Sequence, residues 1–185
     1  GPGAAPRVLF RADSIVDESF DLFSRAIDGG GSPTRLNPTT VGAGDVEPDF
    51  ALSPDGARVV LRGDLLVDER IEVWSASTTG AVGSATKINP NPPAAGDIDG
   101  FAIAATSSRV VYAGDGTVDG RVELWSTPIA GPTTSAVKLH AAAGANENVS
   151  AFALSPDGAR VAFLADLEPE GPEMVWMADV AGAAG

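Results

Sequence analysis

Hydrophobic residues in this chain fall in short runs, three to five residues long, separated by Gly, Pro, Asp and Ser. Some runs are solid, such as Val59-Val60-Leu61 and Val110-Val111-Tyr112, which suits a central strand covered on both faces. Others alternate, as in Ile71-Glu72-Val73-Trp74 and Val122-Glu123-Leu124-Trp125, which predicts strands with a drier and a wetter face. Nowhere do apolar residues recur at the 3.6-residue spacing of a helix. The pattern is that of an all-β chain.

The runs recur in a fixed order. Phe50 opens a segment that Phe101 and then Phe152 open again, each 51 residues further on. Arg7-Val8-Leu9-Phe10, Arg58-Val59-Val60-Leu61, Arg109-Val110-Val111-Tyr112 and Arg160-Val161-Ala162-Phe163 start at the same interval. Phe23, Trp74, Trp125 and Trp176 form a further series in that register. The expected units are residues 7–49, 50–100, 101–151 and 152–185, preceded at 1–6 by a linker. The opening Gly1-Pro2-Gly3 resembles the scar of a cleaved tag, so a native targeting segment is expected to have been removed.

Within a unit the expected strands are A (Phe50 to Ser53, Phe101 to Ala104, Phe152 to Ser155), the Val-rich B, the alternating C, and a short D. Strand D is read at Arg35-Leu36-Asn37, Lys87-Ile88-Asn89 and Lys138-Leu139-His140, where polar ends suit an outer edge. Ser53-Pro54-Asp55-Gly56 and Ser155-Pro156-Asp157-Gly158 are good type I turns between A and B. The equivalent Ala104-Ala105-Thr106-Ser107 lacks that chemistry and is expected to be looser.

Four short antiparallel strands in a repeat of this length describe a β-propeller blade. The phrase Phe152-Ala153-Leu154-Ser155-Pro156-Asp157-Gly158-Ala159-Arg160-Val161, followed by an Asp-bearing turn and an aromatic strand, resembles the WD-like repeats of TolB-type bacterial propellers. The resemblance covers nearly all of residues 7–178 and implies an envelope or secreted, periplasmic origin. It does not transfer a function, because such repeats serve many roles.

The ends are ragged. The first unit supplies B, C and D, and the last supplies A, B and C. Three arrangements follow: a tightly curved four-bladed monomer, a homodimer sharing an eight-bladed ring about a two-fold axis, or an excised or engineered fragment with no separate activity. The dimer is favoured, since an open stack of blades would expose apolar faces.

Charge narrows the partners. A formal charge of −13 and a pI near 4.2 disfavour nucleic acid. No apolar run is long enough for a membrane span, and the absence of Cys excludes disulfides and thiolate metal sites. In a TolB-type propeller the B–C and D–A loops share one rim, and most of the 25 acidic residues fall in those loops. An acidic binding face is therefore expected at Asp13, Asp17, Asp64, Asp68, Asp97, Asp99, Asp115, Asp119 and Asp166, directed at a protein or peptide. The Asp-x-x-x-Asp spacing of Asp13/Asp17, Asp64/Asp68 and Asp115/Asp119 also permits calcium, best at Asp115 and Asp119. The competing reading is that the first Asp caps its hairpin and the second is solvated.

The aromatic series reads as packing between blades, because a core position must be filled in every repeat. His140, the single histidine, stands where Asn37 and Asn89 stand in other units and is expected to make an Asn-like hydrogen bond. No nucleophile–base ordering, phosphate loop or zinc spacing rises above the repeat. The expected function is a non-enzymatic scaffold or binding module, with a calcium-binding propeller or the propeller domain of an envelope enzyme as alternatives.

Overall fold

The computed structural model describes residues 6–16, 18–40, 42, 44–141, 148–167 and 171–182. Its strands form four antiparallel sheets in chain order. The first contains β1 (Arg7–Val16), β2 (Ser19–Ala26) and β3 (Thr34–Arg35). The second contains β4 (Ala51–Leu52), β5 (Arg58–Gly63), β6 (Glu72–Ser77) and β7 (Thr86–Lys87). The third contains β8 (Ile98–Ile103), β9 (Arg109–Asp115), β10 (Val122–Pro128) and β11 (Val137–Lys138). The last contains β12 (Asn148–Leu154), β13 (Arg160–Asp166) and β14 (Met174–Asp179). Among the described residues these are propeller blades of three, four, four and three strands, the first showing strands B, C and D and the last strands A, B and C. Among the described residues the helical content is one 3-10 turn, Thr133–Ser135.

Register repeats as faithfully as sequence. In the central hairpins Phe10 faces Phe23, Leu61 faces Trp74, Tyr112 faces Trp125, and Phe163 faces Trp176. Because successive side chains leave a strand on opposite faces, each blade presents one set of residues forward and another backward. Leu22 and Leu36 of the first blade meet Val59, Leu61 and Trp74 of the second. Val73 and Ile88 of the second meet Val110, Tyr112 and Trp125 of the third. Leu124 and Leu139 of the third meet Val161, Phe163 and Trp176 of the fourth. The core is thus three apolar layers between the four blades, and Trp74, Trp125 and Trp176 fill them as expected, while Phe23 stacks on Phe10 outside these layers.

Four local expectations need correction. Strand D is shorter and earlier than read, at Thr34–Arg35, Thr86–Lys87 and Val137–Lys138. The following Leu36, Ile88 and Leu139 still donate to strand C, but the next residue turns its side chain onto strand C and ends the ladder. Strand A is shorter than read in the second blade and begins earlier in the third and fourth. The Ala104 turn is not looser: Ser107 N–H reaches Ala104 O at 2.8 Å, matching Gly56 to Ser53 and Gly158 to Ser155. Ser107 holds φ +58°, close to the +68° and +70° of those glycines, so hairpin register enforces the turn on a residue that resists it. Finally, strand C has no wet face at its acid: Glu72 and Glu123 are fully buried.

Candidate functional site

Strands B and C meet at loops that lie against the preceding D–A connection. Asp45 accepts the backbone N–H of Phe20 at the start of β2, and its own N–H donates to Asp64. Asp97 repeats this one blade on, accepting Ile71 N–H at 2.7 Å and donating to Asp115 Oδ2 at 3.4 Å. Asn148 repeats it again, accepting Val122 N–H at 3.1 Å and pairing in register with Asp166. In return, Asp64 N–H and Asp115 N–H donate to the carbonyls of Asp45 and Asp97 at 3.2 and 2.8 Å. A carboxylate or amide in each D–A connection therefore ties strand C of one blade to the B–C loop of the next. Arginine adds a second tie: Arg11 reaches Val46 O and Arg62 reaches Ile98 O.

The predicted acids divide by role. Asp64 accepts from Asp45 N–H and from Glu69 N–H at 3.1 Å, and Asp115 accepts from Asp97 N–H, so both are engaged in backbone capping. Asp68 and Asp119 are exposed in B–C loops; Asp13 and Asp99 are exposed too, but lie within β1 and β8 rather than in the loops expected. Asp166 is half-buried, with Oδ1 lacking a partner among the described residues. Asp17 lies outside the described residues. Although Asp99 is exposed overall, the partial burial of its carboxyl, then the charge of Asp115, push it above its ordinary value; Arg62 pulls the other way, and Asp97 adds least. Among the described residues no three His, Cys, Asp or Glu side chains gather as metal ligands would, at Asp115 and Asp119 or elsewhere.

A second set of acids was not singled out from sequence. Glu72 Oε1 accepts Lys87 Nζ at 2.7 Å and lies 3.6 Å from Arg70; Glu123 Oε1 accepts Lys138 at 2.9 Å, Thr117 at 2.8 Å and Arg121 at 3.2 Å. In the first blade Asp21 holds the slot, with Asn37 donating at 2.6 Å and the Arg35 guanidinium forming a longer ion pair at 3.9 Å. Burial raises the Glu123 carboxyl, but the hydrogen bonds of Lys138 and Thr117 and the charges of Lys138 and Arg121 prevail and hold it low. The signal was present as Arg-x-Glu followed by a strand D Lys in two repeats. It passed unnoticed because an acid in an alternating strand reads as solvent-facing.

His140 does the Asn job. Asn37 and Asn89 accept the N–H of Leu22 and Val73 at 2.8 Å, and His140 Nε2 accepts that of Leu124 at 3.2 Å. Nε2 must then carry the lone pair, which places the proton on Nδ1, 3.2 Å from Ala141 O. The ring is a backbone anchor within the sheet.

Between the inner strands of the second and third blades, Phe50, Leu52, Pro54, Phe101 and Ile103 line an open cleft of about 350 Å3, with Asp49 at its edge. No helix among the described residues is long and apolar enough to cross a membrane.

No family model matches the sequence, and no curated protein does. Solved structures match in shape. A chain described as TolB from Agrobacterium tumefaciens superimposes with a TM-score of 0.55 at 18% identity, over 89% of this chain and 53% of that one. A prolyl endopeptidase superimposes with a TM-score of 0.56 at 10% identity, over 97% of this chain and 25% of that one. The chain spans about half the length of the TolB structure. At such identities the likeness speaks of fold alone, and in fold the chain is a stack of four β-propeller blades of the TolB kind.

Proposed function

We propose that the chain is a non-enzymatic propeller scaffold whose B–C and D–A loops present an acidic surface to a basic segment of a partner protein or peptide. The observation that carries this reading is the exposure of Asp13, Asp68, Asp99 and Asp119, four of the acids expected on this face. Asp68 and Asp119 stand exposed in the same class of loop, free of any capping bond among the described residues. Carboxylates that repel one another are relieved when a Lys or Arg arrives, and a chain of charge −13 draws cationic partners from a distance. An envelope or secreted setting, implied by the resemblance to TolB, suits a binding module of this kind. The alternative, the propeller of a larger enzyme, has a precedent in fold in the prolyl endopeptidase.

A fluorescent Lys/Gly-repeat peptide titrated against the chain tests the proposal by anisotropy. Saturable binding that weakens steeply with salt is expected, and Asp68→Asn with Asp119→Asn should weaken it about tenfold. No binding at low salt, or equal binding by the double variant, rejects the acidic surface.

A further inference from the structure

Each outer blade leaves exposed, on its outward face, an apolar residue whose counterparts in the other blades are buried, and the repeat itself states what those faces fit. Val175 is 71% exposed, whereas its counterparts Leu22, Val73 and Leu124 are wholly buried, each against the next blade. Met177, beside it on β14, is 69% exposed. At the other end Val8 is 43% exposed, whereas its counterparts Val59, Val110 and Val161 are wholly buried, each against the preceding blade. Val8 shares its face with Phe10 and Phe23, stacked at 5.6 Å, in the places that Leu61 and Trp74 occupy at the first in-chain junction. One end thus offers the forward surface of a blade and the other the backward surface, and three junctions within the chain show these two surfaces packing together.

We infer that the forward face of the last blade receives the first blade of a second copy of this chain, and that the reciprocal contact closes an eight-bladed ring. A two-fold axis makes the two junctions identical, which a head-to-tail contact requires if it is to close on two copies. The surface concerned is the blade face and not the loop rim, so this inference does not depend on what the rim binds.

Light scattering across a concentration series tests it, with Val175→Asp and Val8→Asp as variants. Both substitutions fall on side chains exposed in a single chain, so each variant should keep its circular dichroism spectrum. The expected result is twice the 18.6 kDa of one chain for the unaltered protein and 18.6 kDa for each variant alone. Mixing the variants leaves one intact junction, Val175 of the Val8→Asp chain against Val8 of the Val175→Asp chain. The mixture should therefore form dimer that neither forms alone. Three outcomes overturn the inference. An unaltered chain that stays at 18.6 kDa leaves further blades of a longer polypeptide, or an unrelated partner, as the cover of Val175. A Val8→Asp variant that remains dimeric means the two last blades pack on each other. A mass that climbs steadily with concentration means head-to-tail growth without closure.

Discussion

Lys87 brings its ammonium within 2.7 Å of Glu72 Oε1, a carboxylate with no solvent exposure, and Lys138 does the same to Glu123 at 2.9 Å. Each pair joins the outer strand of a blade to the strand inside it, with Arg70 or Arg121 closing from the loop side. Once a carboxylate is buried, its partner matters more for what its loss leaves behind than for the attraction itself.

Lys87→Met is accordingly expected to cost about 3 kcal/mol, because Glu72 keeps only Arg70 at 3.6 Å. In a domain of this size that lowers the melting temperature by roughly 6–12 °C. Replacing both residues with apolar side chains should recover most of the loss. Thermal melts followed by circular dichroism check both statements, and an unchanged single variant contradicts the first.

The second of these carboxylates, Glu123, shapes the response to acid. The Glu123 carboxyl is held below its ordinary value, so its folded form binds a proton less readily than its unfolded form. Its contribution is therefore complete above the unfolded value of about 4.3 and is lost as pH falls through the lower folded one. Asp55 and Asp157, held low by Ser53 and Ser155 hydroxyls and by the N–H groups of Ala57 and Ala159, act with the same sign. Asp99 acts oppositely, because its raised carboxyl gains stability on protonation. Urea titrations should show stability falling below about pH 4.3, with a shallower fall in Glu123→Gln.

The Asn–backbone anchor should be interchangeable with its histidine version. His140→Asn restores the residue found in the other repeats and is expected to change stability by under about 1 kcal/mol. Asn89→Ala orphans the buried Val73 N–H and should cost about 1–3 kcal/mol. Equal losses in the two variants would show that the histidine does more than the asparagine.

At the tip of the B–C loops, Glu18, Glu69 and Gly120 occupy the same repeat position, with φ of +62°, +58° and +72°. Only the third copy uses the residue for which that backbone is unstrained. Glu69→Gly is expected to stabilise the chain by about 0.5–1 kcal/mol, provided Glu69 N–H keeps its bond to Asp64. A lower melting temperature contradicts this.

The blade count, strand order and aromatic layers were legible because apolar periodicity repeats four times, and coincidence cannot survive that. Ser107 and Glu72 mark where legibility stopped. A turn is fixed by its hairpin as well as by its own residues, so Ala104-Ala105-Thr106-Ser107 folds as its glycine-bearing counterparts do. An acid diagonal to a lysine on a neighbouring strand can be buried, and no single-strand pattern reveals that pairing. For the same reason the loop acids looked equivalent, although Asp97 is bonded to Ile71 N–H and Asp119 is exposed.

That last distinction is central: repeated acids at Asp45, Asp64, Asp97 and Asp115 stitch blade to blade, and the exposed acids are the ones we propose meet the partner. Comparing Asp97→Ala, Asp97→Asn and Asp119→Asn by thermal melt and cationic-peptide titration tests it most directly. Asp97→Ala should lose about 1–3 kcal/mol of stability by orphaning Ile71 N–H, and Asp97→Asn should keep it, since Asn148 serves in that place. Asp119→Asn should melt unchanged and bind the peptide more weakly. If Asp119→Asn destabilises the chain, or Asp97→Ala leaves its melting temperature untouched, the division of roles is wrong.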